Sequence, residues 1–293
     1  MKSPIVIVGP GKLGCSLARL LVEAGEPVAA VAGRTPERAG QGAAFAGPGV
    51  RAARVEEAPA LGERLLLTAS DDVIPVVARR LADAGAAGGI ALHCAGALGP
   101  EALDPLAASG FSTGVLHPLQ TIASAESGLS ALRGIWWSVT AQGPAADWAR
   151  QIAGLLGGSV LDVPAGARPL YHAAGVMACN FLVVLWESAG AMLEEIGVPQ
   201  QEARDALNPM IRQTLNNVMT FGADEALTGP ILRGDAETVE RHLAALRRLD
   251  RGFPEIYAAL GRRALVIARR RGLDAARAEQ LERALRDNSS RDG

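Results

Sequence analysis

Ile5-Val6-Ile7-Val8 runs straight into Gly9-Pro10-Gly11-Lys12-Leu13-Gly14, and an amphipathic helical pattern follows at once. A strand that enters a helix through three glycines at this spacing constrains the fold more than anything else in the chain. Gly9 makes the tight turn, Gly11 lets the backbone approach a pyrophosphate, and Gly14 lets helix and strand pack closely. The helix N-terminus then offers free N–H groups and the positive end of its dipole to the phosphates. Gly9, Gly11, Lys12, Leu13 and Gly14 are therefore the first candidate cofactor-binding residues.

An NAD-type site would place Asp or Glu at the end of the second strand to bind the ribose 2′-hydroxyl. This chain has Gly33-Arg34-Thr35 there. A guanidinium and a hydroxyl suit a 2′-phosphate, with Arg38 one turn on as a second cation, so the expected cofactor is NADP(H). Ser70-Asp71-Asp72 and His93-Cys94-Ala95-Gly96 follow two further strand patterns, at carboxyl ends where open α/β sheets bind ligands. Ser70 and Ala95 join the cofactor set. Asp71 or Asp72 reads as the cap of a helix over 73–81, with a ligand contact as the alternative.

The same rhythm extends through the first half. Strand patterns fall at 5–8, 28–32, 50–55, 65–68, 90–93, 111–116, 135–140 and 159–163, alternating with Ala- and Leu-rich helical segments. After Pro164 no strand pattern recurs, and helical segments are punctuated by Gly197-Val198-Pro199, Gly222, Thr228-Gly229-Pro230 and Gly252-Phe253-Pro254. The expected architecture is α/β: a Rossmann-type doubly wound parallel sheet over residues 1–164, then an all-helical domain over 165–293. The tail from Arg286 is polar and expected to fray.

Composition narrows the partners. With 29 basic against 31 acidic residues the net charge is −2, so no global positive field would hold nucleic acid. Cys15, Cys94 and Cys179 are widely spaced and show no metal-ligand pattern, so no metal is expected and the thiols read as reduced, in a cytoplasmic protein. Pro4, Gly9, Pro10 and Gly11 interrupt any leader-like apolar run. The apolar stretch 173–192 contains Asn180 and Glu187, which suits a buried helix better than a membrane span. Only Lys2 and Lys12 among the basic residues are lysines, so a catalytic lysine is almost unavailable.

Chemistry must then come from other groups. His93 and His117 end strand patterns, His117 within Gly114-Val115-Leu116-His117-Pro118-Leu119-Gln120-Thr121. On an ideal helix, at about 100° per residue, His172 and Asn180 lie about 80° apart with Glu187 between them. Polar groups on one side of an apolar helix either satisfy one another or face a ligand.

Together the glycine fingerprint, the His-Cys-Ala-Gly and Gly-Val-Leu-His-Pro-Leu-Gln-Thr turns, the Tyr171-His172-Ala173-Ala174 to Asn180 helix and the Leu227 to Asp235 stretch reaching His242 resemble a bacterial family. Its members join a Rossmann-like domain to a C-terminal helical domain of unknown function (domain of unknown function 2520). More distantly the layout is similar to pyrroline-5-carboxylate reductases, 6-phosphogluconate-type β-hydroxyacid dehydrogenases and ketopantoate reductases. The resemblance implies a two-domain NADP-dependent reductase with its active site between the domains, and a homodimer formed through the helical half. Some family members serve as alternative ketopantoate reductases, which makes ketopantoate, reduced to pantoate, the first candidate substrate.

Relatives of the dehydrogenase type use a lysine and an asparagine on the first interdomain helix; here Asn180 matches in type and no lysine is present. His172 becomes the expected proton donor, since an imidazole titrates near working pH, with His117 and Tyr171 as rivals. Asn180 would polarise the carbonyl oxygen. Arg168 or Arg233 would pair a substrate carboxylate bidentately, with Thr228 and Gly229 closing the wall. The alternatives are an imine reductase of the pyrroline-5-carboxylate type, and an NADP-binding sensor without turnover.

Overall fold

A computed structural model describes residues 3–249 and 252–286. All four residues of the first strand, Ile5–Val8 (β1), are buried. A strand apolar on both faces requires cover on both sides. Alternate side chains feed two cores: Ile5 and Ile7 join Leu17, Leu20, Trp148 and Ile152 on one face. Val6 and Val8 join Ile74, Val77, Leu81 and Leu106 on the other. Each such side chain contributes on the order of 1.5–3 kcal/mol by leaving water.

The chain continues through α1 (Lys12–Glu23), β2 (Val28–Gly33), α2 (Pro36–Ala46), β3 (Arg51–Arg54), α3 (Ala58–Leu61), β4 (Arg64–Leu67), α4 (Ile74–Asp83) and β5 (Gly89–His93). Then come α5 (Asp104–Ala107), β6 (Phe111–Pro118), α6 (Ala125–Ala131), β7 (Trp136–Ala141), α7 (Gly143–Leu155) and β8 (Ser159–Asp162). These strands form one eight-stranded sheet in the order β3-β2-β1-β4-β5-β6-β7-β8. The expected doubly wound sheet is present, with one departure from wholly parallel pairing. The chain after β6 stays at the end of the sheet where β6 finishes, so β7 returns antiparallel, with His117 opposite Ser138. Helix α7 then crosses over and β8 lies parallel to β7.

No strand follows Asp162 among the described residues. A short 3₁₀ turn leads into α8 (Arg168–Gly175), a π-helical turn over Val176–Asn180, α9 (Phe181–Glu195), α10 (Gln200–Ala226), α11 (Pro230–Arg233), α12 (Ala236–Leu246), α13 (Phe253–Arg270) and α14 (Ala275–Arg286). Two compact units result, one ending at Phe181 and the other starting at Leu182. The first unit thus runs past residue 164 and takes in α8, whose Arg168 side chain is buried among sheet residues. In the second unit Val239, Leu243, Ala258, Leu265, Leu281 and Leu285 of α12 to α14 form the core. Gly222 breaks the helical geometry of α10 at φ 80° and ψ 167°, a region open essentially to glycine.

The apolar stretch 173–192 departs from expectation. Only Ser188 in it is buried, while Met177, Phe181 and Val183 are each at least half exposed. By length and composition the helical run Ala165–Glu195 could cross a membrane, the one such run among the described residues.

Candidate functional site

Three glycines set the geometry of the turn after β1. Gly9 sits at φ 118°, and a Cβ there would come within 2.9 Å of the Ala69 backbone nitrogen. A Cβ on Gly14 would stand 2.1 Å from the Gly9 carbonyl oxygen and 2.4 Å from Thr68 Oγ1. The Thr68 hydroxyl donates to that same carbonyl at 2.7 Å, tying the turn to the end of β4. Gly11 differs: it precedes the first residue of α1, and a Cβ on it would meet nothing within 4 Å. Space in front of a helix N-terminus is what a phosphate needs.

That space opens into a cavity of about 250 Å³ whose lining includes Gly9, Gly11, Arg34, Arg38, Ser70 and Arg80, and no acidic residue. Arg80 also pairs with Glu56. The donors present fit a dinucleotide carrying an extra phosphate: backbone N–H groups at one wall and guanidinium groups at the other. Of the expected cofactor residues, Gly9, Gly11, Arg34 and Ser70 line this cavity. Gly14 packs beneath the turn, and Lys12 and Leu13 open α1 with Lys12 exposed. The Thr35 hydroxyl caps α2 by accepting from the Arg38 N–H at 3.4 Å. Ala95 is buried, with its carbonyl occupied by Arg168. Neither Asp71 nor Asp72 caps α4. Val73 holds that position without a side-chain bond, and the Ser70 carbonyl accepts from the Val73 and Ile74 N–H groups. Thr68 and Arg80 were not among the expected residues; Arg80 lies on the polar face of a helix, where an arginine has no distinguishing sequence context.

A second group of polar side chains gathers farther along the same carboxyl edge, at the ends of β5 and β6. Its organiser is Arg168, which is fully buried. Nε–H donates to the Gly96 carbonyl at 3.1 Å. Nη2 reaches the Ala95 and Gly96 carbonyls at 2.9 and 2.8 Å, and Nη1 donates to Ser138 Oγ and Thr140 Oγ1, both at 3.2 Å. A guanidinium has five N–H groups, and these contacts engage all of them. The expected carboxylate contact of Arg168 is therefore replaced by a structural one. Sequence spacing could not reveal this, because the acceptors come from the turn after β5 and from β7.

His93 is also fully buried. Its Nδ1 accepts from the Ala95 N–H at 3.2 Å, so Nε2–H donates to the Gly99 carbonyl at 2.9 Å, and the neutral ring fixes the 93–99 turn. Burial lowers its pKa, consistent with that state. His117 Nδ1 lies 2.9 Å from the Tyr171 hydroxyl, with the rings edge to face. Burial first, then the positive charge of Arg168 and the neighbouring His172 and His93, push the His117 pKa down to about 4. Burial raises the Tyr171 pKa, so the phenol holds its proton at neutral pH, and the Arg168 guanidinium carbon stands 5.2 Å from the ring centre.

His172 completes the group. A Cβ on Gly96 would stand 2.2 Å from His172 Nδ1 and 3.0 Å from His117 Nε2, so two imidazole nitrogens converge on the bare face of one glycine. The structure thus assembles His117, Tyr171 and His172. It does not bring Asn180 to them. Asn180 ends the π-helical turn and is exposed, and among the described residues no hydrogen bond joins it to the cluster. Glu187, in the second unit, instead lines a small cavity with Trp186 and Arg204. In that unit Thr228 is exposed, Gly229 precedes α11 at φ 94°, and Arg233 is exposed, its carbonyl accepting from Arg277 at 3.2 Å. His242 pairs with the Tyr257 hydroxyl at 2.8 Å.

Residues 2–118 match the family model of a Rossmann-like domain, and residues 135–264 match that of the domain of unknown function DUF2520. The chain thus joins a Rossmann-like domain to a DUF2520 domain. Solved structures share its fold. A Bacteroides fragilis protein described as a candidate NADP oxidoreductase is 24% identical with a TM-score of 0.71, covering 90% of this chain and 98% of its own. A reductive aminase from Aspergillus terreus, in complex with NADPH and ethyl-5-oxohexanoate, is 18% identical with a TM-score of 0.61, covering 98% and 95%. A Plasmodium falciparum pyrroline carboxylate reductase with NADP bound is 9% identical with a TM-score of 0.56, covering 91% and 98%. A search of curated protein sequences gave no match to this chain.

Proposed function

We propose that this protein is an NADPH-dependent reductase of a small carbonyl or imine compound. The observation that carries the reading is one continuous sheet edge with an acid-free, arginine-lined cavity at β1, β2 and β4 and a proton-bearing His-Tyr-His cluster at β5 and β6. Arg34 and Arg38 would hold the 2′-phosphate, and Gly11 would admit the pyrophosphate. The far end of the dinucleotide would extend toward Gly96. NADPH, when bound, supplies a hydride to the electrophilic carbon. The chain's own residues exclude water and deliver the proton. A sensor has no use for proton-transfer groups beside the nicotinamide.

Two substrate classes follow. Reduction of a 2-oxo acid such as ketopantoate calls for a cation on the carboxylate, and Arg168 is already spent on carbonyls and hydroxyls. Reduction of a cyclic imine makes no such demand, and a protonated C=N bond needs less acid catalysis. The burial of Arg168 therefore favours the imine class, as do the aminase and pyrroline carboxylate reductase among the structures of like fold. A homodimer through the helical region is part of the proposal, because α9 and α10 leave Val183, Val184, Met210, Met219 and Phe221 exposed.

The test is NADPH oxidation over a panel of cyclic imines and 2-oxo acids that includes ketopantoate. The Arg34→Asp variant should weaken NADPH binding far more than NADH binding. Equal losses for both would remove the 2′-phosphate assignment, and tight NADPH binding without turnover of any compound would favour the sensor.

A further inference from the structure

Arg168 is unusual for a buried cation because every partner it has is neutral. Burying a charge is costly unless it is paired, and here no carboxylate pairs it. Its five N–H groups go to two carbonyls and two hydroxyls. Such a charge stabilises any negative charge that develops nearby, and the Tyr171 phenol is the first ionisable group that acts on it. Arg168 and Tyr171 stand one turn apart on α8, with the guanidinium carbon 5.2 Å from the ring. Ser138 Oγ accepts from Arg168, and Ser138 and Arg168 both favour the ionised form of the Tyr171 phenol. On the other side the phenol meets His117 Nδ1.

We propose that Tyr171, rather than His172, is the proton donor of the reduction, and that Arg168 is the positioning residue whose buried charge stabilises the tyrosinate left behind. The inference rests on the reductase reading above. Reduction of a C=N or C=O bond takes a hydride at carbon, released as NADPH becomes NADP⁺, and a proton at the heteroatom. The O–H bond of Tyr171 breaks, its proton bonds to the heteroatom, and the electron pair stays on the phenolate oxygen. His117 Nδ1–H then returns a proton to that oxygen while Nε2, on the Gly96 side, takes one from water, and exchange of the ring protons with water restores the Nδ1–H tautomer. Net consumption is one hydride and one solvent proton, and the ring ends neutral. The charge that other enzymes of this chemistry could draw from a lysine is supplied here by an arginine, which never loses its proton.

The groups acting on the phenol are Arg168 from α8, His117 from β6 and Ser138 from β7; Asp71 and Glu101 act on Arg168 from farther off. Burial has already raised the Tyr171 pKa, and Arg168 opposes that rise.

The chain has two tyrosines, so in a Tyr257→Phe background the ultraviolet signal of phenolate formation reports Tyr171 alone. Arg168→Met should raise the midpoint of that titration by about one to three units, and Arg168→Lys should restore most of it. An unchanged midpoint in a folded Arg168→Met protein overturns the role of the cation. Should that variant fail to fold, the Arg168→Lys titration against the parent and the activity of Tyr171→Phe decide. Tyr171→Phe should lose about a hundredfold or more of kcat/KM on a compound the wild type reduces, with NADPH affinity held within a few-fold. His172→Ala should lose far less. Activity of Tyr171→Phe within a few-fold of wild type overturns the donor assignment. Failure of the wild type to reduce any compound removes the reductase reading and the donor role with it, whereas a shifted Tyr171 midpoint would still establish the coupling to Arg168.

Discussion

At the scale of single residues, Gly96 is the position where the site has no room to change. A methyl group there would run into His172 Nδ1 and His117 Nε2. Gly96→Ala is expected to cut turnover by about tenfold or more, since a small displacement of reacting groups costs that much. NADPH affinity, measured by fluorescence titration, should change little. His117 carries a pH signature. Its pKa is about 4 in the fold, below the ordinary value of about 6.5 that it regains on unfolding. The unfolded chain therefore binds the proton first. The contribution is complete above about pH 6.5 and is lost as pH falls toward 4, amounting at most to roughly 3 kcal/mol. Urea unfolding at about pH 7 and about pH 4.5 should show a smaller difference in His117→Asn than in wild type. A residual slope should remain, because His93 is shifted in the same direction.

Helices and strands were largely legible beforehand, and the reasons are local. Four buried aliphatics in a row at Ile5–Val8, glycines at fixed offsets and the proline-glycine punctuation of the second half each carry their own structural meaning. What escaped was whatever depends on phase or on distant chain. The π-helical turn Val176–Asn180 rotates less per residue than an α-helix, so an angle reckoned at an even helical period does not place Asn180. Arg168 reads in the sequence as a free cation before a helix, and only the Gly96 and Ala95 carbonyls and the β7 hydroxyls reveal it as spent. The glycines of two helices test the local reading. Gly14→Ala should destabilise the protein by about 2 kcal/mol or more, because the new methyl meets the Gly9 carbonyl. Gly40→Ala in α2 meets nothing within 4 Å and should stabilise by roughly 0.5–1 kcal/mol through helix propensity. Thermal melts of the two variants should move in opposite directions.

For the whole molecule the exposed apolar side chains of α9 and α10 matter most. Val183 and Met219 are 64% and 82% exposed. Covering them with a second copy predicts a dimer in sedimentation, and both Val183→Asp and Met219→Asp should shift the population toward monomer while leaving NADPH binding intact. A monomeric wild type would end that proposal.

The turn between β1 and α1 has a practical corollary. Of the two lysines in the chain, Lys12 stands exposed at the first position of α1, one residue past the glycine that leaves space for phosphate. Reagents that seek side-chain amines, whether to attach a dye or to tether the protein to a surface, have Lys2 as their one alternative. Coupling at Lys12 would plant its label next to Gly11, which lines the arginine-bearing cavity, and an immobilised sample would be held beside the opening that the proposed dinucleotide would use.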